Sequence, residues 1–332
     1  METLRRLGQE VIPFDPSSLL PRSRLRAAAI ARLPIRPFVH RINHELLRVA
    51  QCKPDVVWFE KPIYFTRDTI LQIRQTGAQT VCYNPDNPFG PRNDGCWYQF
   101  KKVFRLFDLH CVPRSTDAIR CREWGLNCIK VLFSFEPTVH FPPPASWNDS
   151  WRTRNVSFIG SPYEQRAQFL QQLTKEYQIP VAVSGPIRAW QKAASAAFFR
   201  QNFSDGPLID DRYREGIWQS RINLSFVTVL NEDDIAHKAV EIAACQAFLL
   251  AIRTEGHQAI FEEDQEAVFF SSVEECADKC RFYLGRPDLR ESIARRGRER
   301  AVRSGYDNDT QLRRVLNRLD GQVEERGSPL VF

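Results

Sequence analysis

Residues 231–261, NEDDIAHKAVEIAACQAFLLAIRTEGHQAIF, read as helix, buried strand, turn and second helix. At about 100° per residue, a helix over 234–246 puts Asp234, His237, Lys238, Glu241 and Cys245 on one narrow stripe, with Ile235, Ala236, Ala239, Val240, Ile242, Ala243 and Ala244 around it. Asp233 or Asp234 is expected to cap this helix by accepting from its unpaired N–H groups. Most polar stripes are simply the solvated face of an amphipathic helix. This one is sparse beside the arginine-rich 290–303, and it lies between 222–227 (INLSFV) and 247–252 (AFLLAI), apolar runs suited to strands buried on both faces. In a strand–helix–strand unit the loop entering the helix lies at the carboxyl edge of the sheet, where open α/β folds bind ligands. The stripe is therefore read as facing a ligand.

A chain of 332 residues, 43% apolar and 26% charged, is globular and long enough for two domains. No stretch approaches the ~20 apolar residues of a membrane span. The start, METLRRLGQEV, has no apolar core of a secretion signal, so a cytoplasmic protein is expected. Nine scattered cysteines read as reduced thiols packed as small hydrophobes. Cys276 with Cys280, and His40 with His44, lack a third ligand, so no metal is expected. The net charge of +6 comes largely from arginines, many near the two ends. Such a balance suits nucleic acid, an acidic membrane surface or an anionic small ligand. Little aromatic interleaving in the last helices argues against nucleic acid, while peripheral contact with an anionic membrane stays open.

Strand and helix alternate along the chain, which predicts parallel sheets. In the first half the strands are 55–60 (DVVWFE), 80–84, 109–112 and 128–133, with a helix capped at Thr66 and closed by Gly77. The chain reads as beginning inside a helix, so this domain is expected to lack its first strand. Pro142, Pro143 and Pro144 mark a stiff linker. The expected organisation is an acceptor-side domain over 1–140, a linker over 141–154, a second domain over 155–305, and a C-terminal helix and tail over 306–332. The fold class is α/β, two Rossmann-like doubly wound domains facing a cleft.

Gly160, followed by Ser161, and Gly185 each end a strand and precede a helix, where a phosphate can approach the backbone. With Lys238 they form a candidate diphosphate cradle, and Glu241 is placed to accept from ribose hydroxyls. The competing role for Glu241 is a surface ion pair with Lys238. Glu60, Lys61 and Asp86 lie just past strand ends in the first half, although Asp86 in PDNP also suits an ordinary turn. His110, at a strand start, is read as packed. The absence of Gly-x-Ser-x-Gly and Walker patterns argues against hydrolase and triphosphatase readings.

Residues 237–302, with FIGS (158–161), VSGP (183–186), INLS (222–225) and, more weakly, YNPDNP (83–88), resemble the group 1 glycosyltransferases of the CgeB-like, spore-maturation type. In that type an Arg-x-x-Glu helix runs into Ala-Cys-Gly. Here the pair is Lys238-x-x-Glu241, and Gln246 stands for the glycine. Residues 1–15 resemble the family's first helix and second strand. The resemblance implies a GT-B fold and a metal-independent, retaining glycosyltransferase. No cofactor is implied: a nucleotide-diphosphate sugar is the donor substrate, held by the second domain, and a saccharide or a protein- or lipid-linked acceptor is held by the first. It also implies two acidic residues with seven others between them, here Asp233 and Glu241, with His237 and Lys238 among the seven. Asp86, Glu60 and Lys61 are the catalytic candidates. The alternatives are a catalytically weak or inactive binding protein on the same fold and a nucleotide-sugar epimerase.

Overall fold

The computed structural model describes residues 1–33, 36–92 and 94–321. Two compact units make it up. The first is Met1–Leu132 with Val229–Glu232 and the described chain from Leu312 on; the second is Phe133–Thr228 with Asp233–Gln311.

The first unit carries four parallel strands, β1 (Val56–Glu60), β2 (Gln79–Tyr83), β3 (Leu109–Val112) and β4 (Cys128–Lys130), paired in the order β1-β2-β3-β4. Side chains alternate across this sheet. Phe59 and Cys82 pack with Ile42 and Leu46 of the helix Arg36–Val49 and with Ile70 and Ile73 of the helix Arg67–Gln75. Val81, Leu109, Cys111 and Ile129 pack with Val315. Thr66 caps its helix by accepting from the Thr69 N–H, and Gly77, at φ +93°, takes the left-handed turn that ends it. All four strands wind in one direction from β1, and no described residue forms a strand on the far side of β1. Residues 9–15 are not the second strand that the resemblance implies.

The second unit carries β5 (Arg154–Ile159), β6 (Ala182–Ser184), β7 (Phe203–Asp205), β8 (Ser220–Ser225), β9 (Leu249–Ile252) and β10 (Val268–Phe270). Their order, β10-β9-β8-β5-β6-β7, is doubly wound, and every pair is parallel. Val156, Phe158, Val183, Leu224, Leu250 and Phe270 form one core with Leu170, Leu173 and Ile293 from the covering helices. After β6 the chain forms two helices, Ile187–Ala193 and Ala196–Asn202, and Ser195 caps the second. β7 follows directly; its FSD sequence has no apolar run to announce it.

The proline segment belongs to the second unit rather than standing as a free linker. Arg214 donates to the Val139 carbonyl at 2.9 Å, Trp218 Nε1 donates to the Phe141 carbonyl at 3.0 Å, and Asp149 accepts from Arg221 and Arg290. The prolines stiffen the backbone, but the carbonyls of Val139 and Phe141 and the Asp149 carboxylate are fastened to side chains of the second unit. The expected C-terminal helix spans Asn308–Leu319, and the tail over 322–332 lies outside the described residues. Among the described residues no helix is long and apolar enough to cross a membrane.

Candidate functional site

In the second sheet β5 lies beside β8, and the chain leaves the two strands toward opposite edges. Such a reversal opens a crevice at the carboxyl ends, where ligands of doubly wound sheets bind. Gly160 follows β5 at this point. A Cβ built there would sit 3.4 Å from Lys238 Cε, so the lysine stem lies across the bare glycine. Gly185, after β6, has a different neighbour: a Cβ would fall 2.2 Å from the Gly160 carbonyl oxygen and 2.8 Å from Trp190 Nε1. Trp190 donates to that same carbonyl at 2.8 Å. Gly185 thus lets the two strand ends close up and turns the Gly160 peptide. Arg166 fastens the loop after β8, donating to the Val227 carbonyl and the Thr228 hydroxyl at 2.9 Å each. Ser161 is half-buried, and its carbonyl accepts a long bond from Arg166 at 3.5 Å.

The stripe helix is shorter than expected, His237–Ala244, with Ala236 at its N-cap and no side-chain cap. Neither Asp233 nor Asp234 is its N-cap residue, because the chain turns through Glu232 at φ +55° and the helix starts later. The Ala236 N–H instead donates to His257 Nε2 at 2.9 Å, while His257 Nδ1–H donates to the Ile252 carbonyl at 2.8 Å. Thr254 donates to the Asp234 carbonyl at 2.7 Å. The short helix is therefore aimed by its successor, Glu255–Ile260. Asp233 is half-buried, its N–H bonded to the Thr228 carbonyl and its charge felt by Arg166.

Glu241 and Lys238 both turn away from bulk water. The Glu241 side chain is only 12% exposed; it accepts from the Tyr213 hydroxyl at 2.5 Å and lies 3.5 Å from His237 Nε2 and 3.7 Å from His140 Nε2. Burial alone would raise its pKa, but His237, Lys238, His140 and the Tyr213 bond together hold it below the ordinary carboxylate value. Burial and the charge of Glu241 push the Tyr213 hydroxyl well up, so it stays a donor. Lys238 makes no ion pair with Glu241: its Nζ stands 4.7 Å from the Tyr213 ring centroid, a cation–π contact. Burial lowers its pKa against the opposing pull of Glu241. His140 Nδ1 accepts from the Glu136 N–H, which leaves the proton on the nitrogen facing Glu241. His237 is half-exposed, stacked on Phe133, with Nε2 on the Ser134 carbonyl at 2.8 Å. The arrangement offers one carboxylate acceptor and one ammonium beside a bare backbone segment.

In the first unit Lys61 and Asp86 meet at 2.5 Å, with Lys61 5.3 Å from the Trp97 ring centroid and Arg92 3.8 Å from the other Asp86 oxygen. Lys61 sits at φ +45°, where a β-carbon is strained. Glu60 is exposed and makes no ion pair among the described residues. Asn87 is a buried structural hub: its side chain donates to Glu232 and accepts from the Phe89 N–H and Arg120. His110 is packed, as read from its place at a strand start, and burial lowers its pKa to about 4.

Residues 165–317 match a glycosyl transferase-like family model. A search of the curated proteins finds no match. Among solved structures, the chain is similar to a sucrose-phosphate synthase from Thermosynechococcus elongatus, at TM-score 0.67 and 11% identity over 97% of this chain and 92% of that one. A glycosyltransferase from Rickettsia africae matches at 0.62 and 12%, over 98% and 88%. HepE of Anabaena, solved with UDP-glucose, matches at 0.61 and 11%, over 84% and 82%. These likenesses establish the GT-B fold of the glycosyltransferases. The glycosyl transferase-like region contains Arg166, Lys238, Glu241 and the tyrosine and histidine that position them, Tyr213 and His257. The sequence reading missed Tyr213, His257, Arg166 and His140. The first three are 21 to 28 residues or more from their partners in the chain, and His140 stands in the proline segment read as a linker. Only pairing across elements marks them out.

Proposed function

We propose that this chain is a glycosyltransferase that moves a sugar from a nucleoside-diphosphate sugar to an acceptor hydroxyl, without a bound metal and with retention of configuration. The observation that carries the reading is the half-buried Lys238 ammonium at the β5/β8 reversal, beside Gly160 and, among the described residues, without a carboxylate within ion-pair distance. An ammonium largely withdrawn from water and without a direct ion pair favours an anionic ligand, here the diphosphate. Glu241, kept ionised, accepts from the ribose hydroxyls. As the bond from the sugar's anomeric carbon to the diphosphate breaks, its electron pair passes to the leaving oxygen, and Lys238 with the backbone N–H groups after Gly160 offsets that charge. The acceptor oxygen forms the new bond to the anomeric carbon as its proton passes to the leaving diphosphate oxygen. Asp86, held by Lys61, and Glu60 are the first unit's candidates for acceptor handling. A UDP-sugar is the first donor to try, since the fold is shared with HepE.

A second reading, a nucleotide-sugar-binding protein without transferase activity, is favoured by the first unit's strands, which wind in one direction only among the described residues. Thermal shift with UDP-glucose, UDP-N-acetylglucosamine and GDP-mannose tests the site. A saturating donor raises the melting temperature by roughly 5–10 °C when it exceeds Kd a hundredfold. Glu241→Ala loses that shift, and Glu241→Gln, which keeps an acceptor for Tyr213, controls for folding. An unchanged shift in both variants removes Glu241 from the site. A shift without donor hydrolysis or transfer selects the binding reading.

A further inference from the structure

Residues 22–48 hold seven arginines against one acidic residue, Glu45, a surplus equal to the whole chain's net charge of +6. The rest of the chain is balanced. These residues lie in the first unit, on and around the helices Arg24–Arg32 and Arg36–Val49. Arg22, Arg26, Arg32, Arg36, Arg41 and Arg48 are exposed. Among the described residues only Arg48 of these has a carboxylate partner, Glu45, and Arg32 donates to the Ala28 carbonyl at 3.3 Å. The fold therefore uses almost none of this charge. The same segment leaves Leu25 85% and Leu33 66% exposed, whereas Ile30, Val39, Ile42 and Leu46 are buried.

We propose that this segment docks the protein on an anionic lipid bilayer, with the arginines against headgroup phosphates and Leu25 and Leu33 set into the headgroup–acyl boundary. A cluster of four to eight basic residues on an amphipathic surface is what anionic membranes attract, and exposed leucines gain from insertion. A nucleic acid accounts for the arginines but not the leucines. The segment's one aromatic side chain, Phe38, is half-buried and offers no stacking platform. This segment belongs to the first unit, whereas the donor site rests on Gly160, Lys238 and Glu241 of the second, so the docking does not depend on the sugar-transfer reading.

Vesicle flotation of the full chain tests it, with phosphatidylcholine alone and with about 30 mol % phosphatidylglycerol. The protein floats with the anionic vesicles at about 0.1 M NaCl, is released at about 0.5 M, and ignores phosphatidylcholine alone. Arg26→Glu, Arg36→Glu and Arg41→Glu together weaken partitioning by at least a hundredfold, at roughly fivefold per arginine lost. Leu25→Gln with Leu33→Gln weakens it about tenfold and keeps the salt dependence. Arg188→Glu, Lys192→Glu and Arg200→Glu, an equal charge change at exposed second-unit positions, bind as the parent does. Circular dichroism confirms that each variant is folded; if the arginine triple is not, the lipid and salt dependence of the parent still decides. Equal binding to both vesicle types, an equal loss in the second-unit triple, or displacement from vesicles by duplex DNA overturns the proposal.

Discussion

Gln246 follows the His237 helix at φ +51°, the left-handed position that closes a helix. A glycine adopts it without a steric penalty, and the resemblance to the CgeB-like sequences puts a glycine there. Gln246→Gly is expected to raise stability by about 0.5–1 kcal/mol, read as a higher urea midpoint with unchanged slope. Gly160 and Gly185 show that the residue type alone does not give the role. Both end strands, yet one lies under the Lys238 stem and the other lets the Gly160 carbonyl reach Trp190. Chain position identified both glycines; only their neighbours separated them.

At the level of elements, the His237 helix depends on its partners more than on its own capping. Its N-cap residue, Ala236, has no side-chain acceptor to offer, and His257 of the next helix accepts from the Ala236 N–H. Burial holds His257 neutral, its pKa lowered from 6.5 to about 4. The unfolded chain takes up a proton below the ordinary value near 6.5 while the folded one does so only near 4, so stability is full above that window and falls as pH drops through it. The expected loss is about 1.4 kcal/mol per pH unit from this histidine. Urea melts at successive pH values check it. His257→Gln, which keeps an acceptor but does not titrate, removes that share of the slope. The share from His110, also lowered to about 4, remains.

For the whole molecule, the decisive boundary is where the second unit begins. Proline content places a linker over 141–154, but the second unit starts at Phe133. Val139, Phe141 and Asp149 supply partners to Arg214, Trp218, Arg221 and Arg290, and the Arg290 side chain is nearly fully buried. Leaving such a cation without its carboxylate costs about 3–5 kcal/mol. A fragment over 133–311 is therefore expected to fold and one over 155–311 to melt at least 10 °C lower or not fold. Circular dichroism melts of the two fragments check this; equal melting temperatures would return the boundary to the prolines.

The strand–helix alternation was legible because parallel strands buried on both faces appear as short apolar runs, such as INLSFV and AFLLAI. Glycines at strand ends and a polar stripe on an apolar helix pointed to Gly160, Lys238 and Glu241 by the same local logic. What the linear order did not hold is which groups stand across from them. Tyr213 on Glu241, His257 on Ala236 and Trp190 on Gly160 are hydrogen bonds between elements, and short strands such as β7 owe their place to neighbouring strands rather than to their own composition. Periodicity records which face of an element is apolar. Only packing chooses the partner that each polar group meets there.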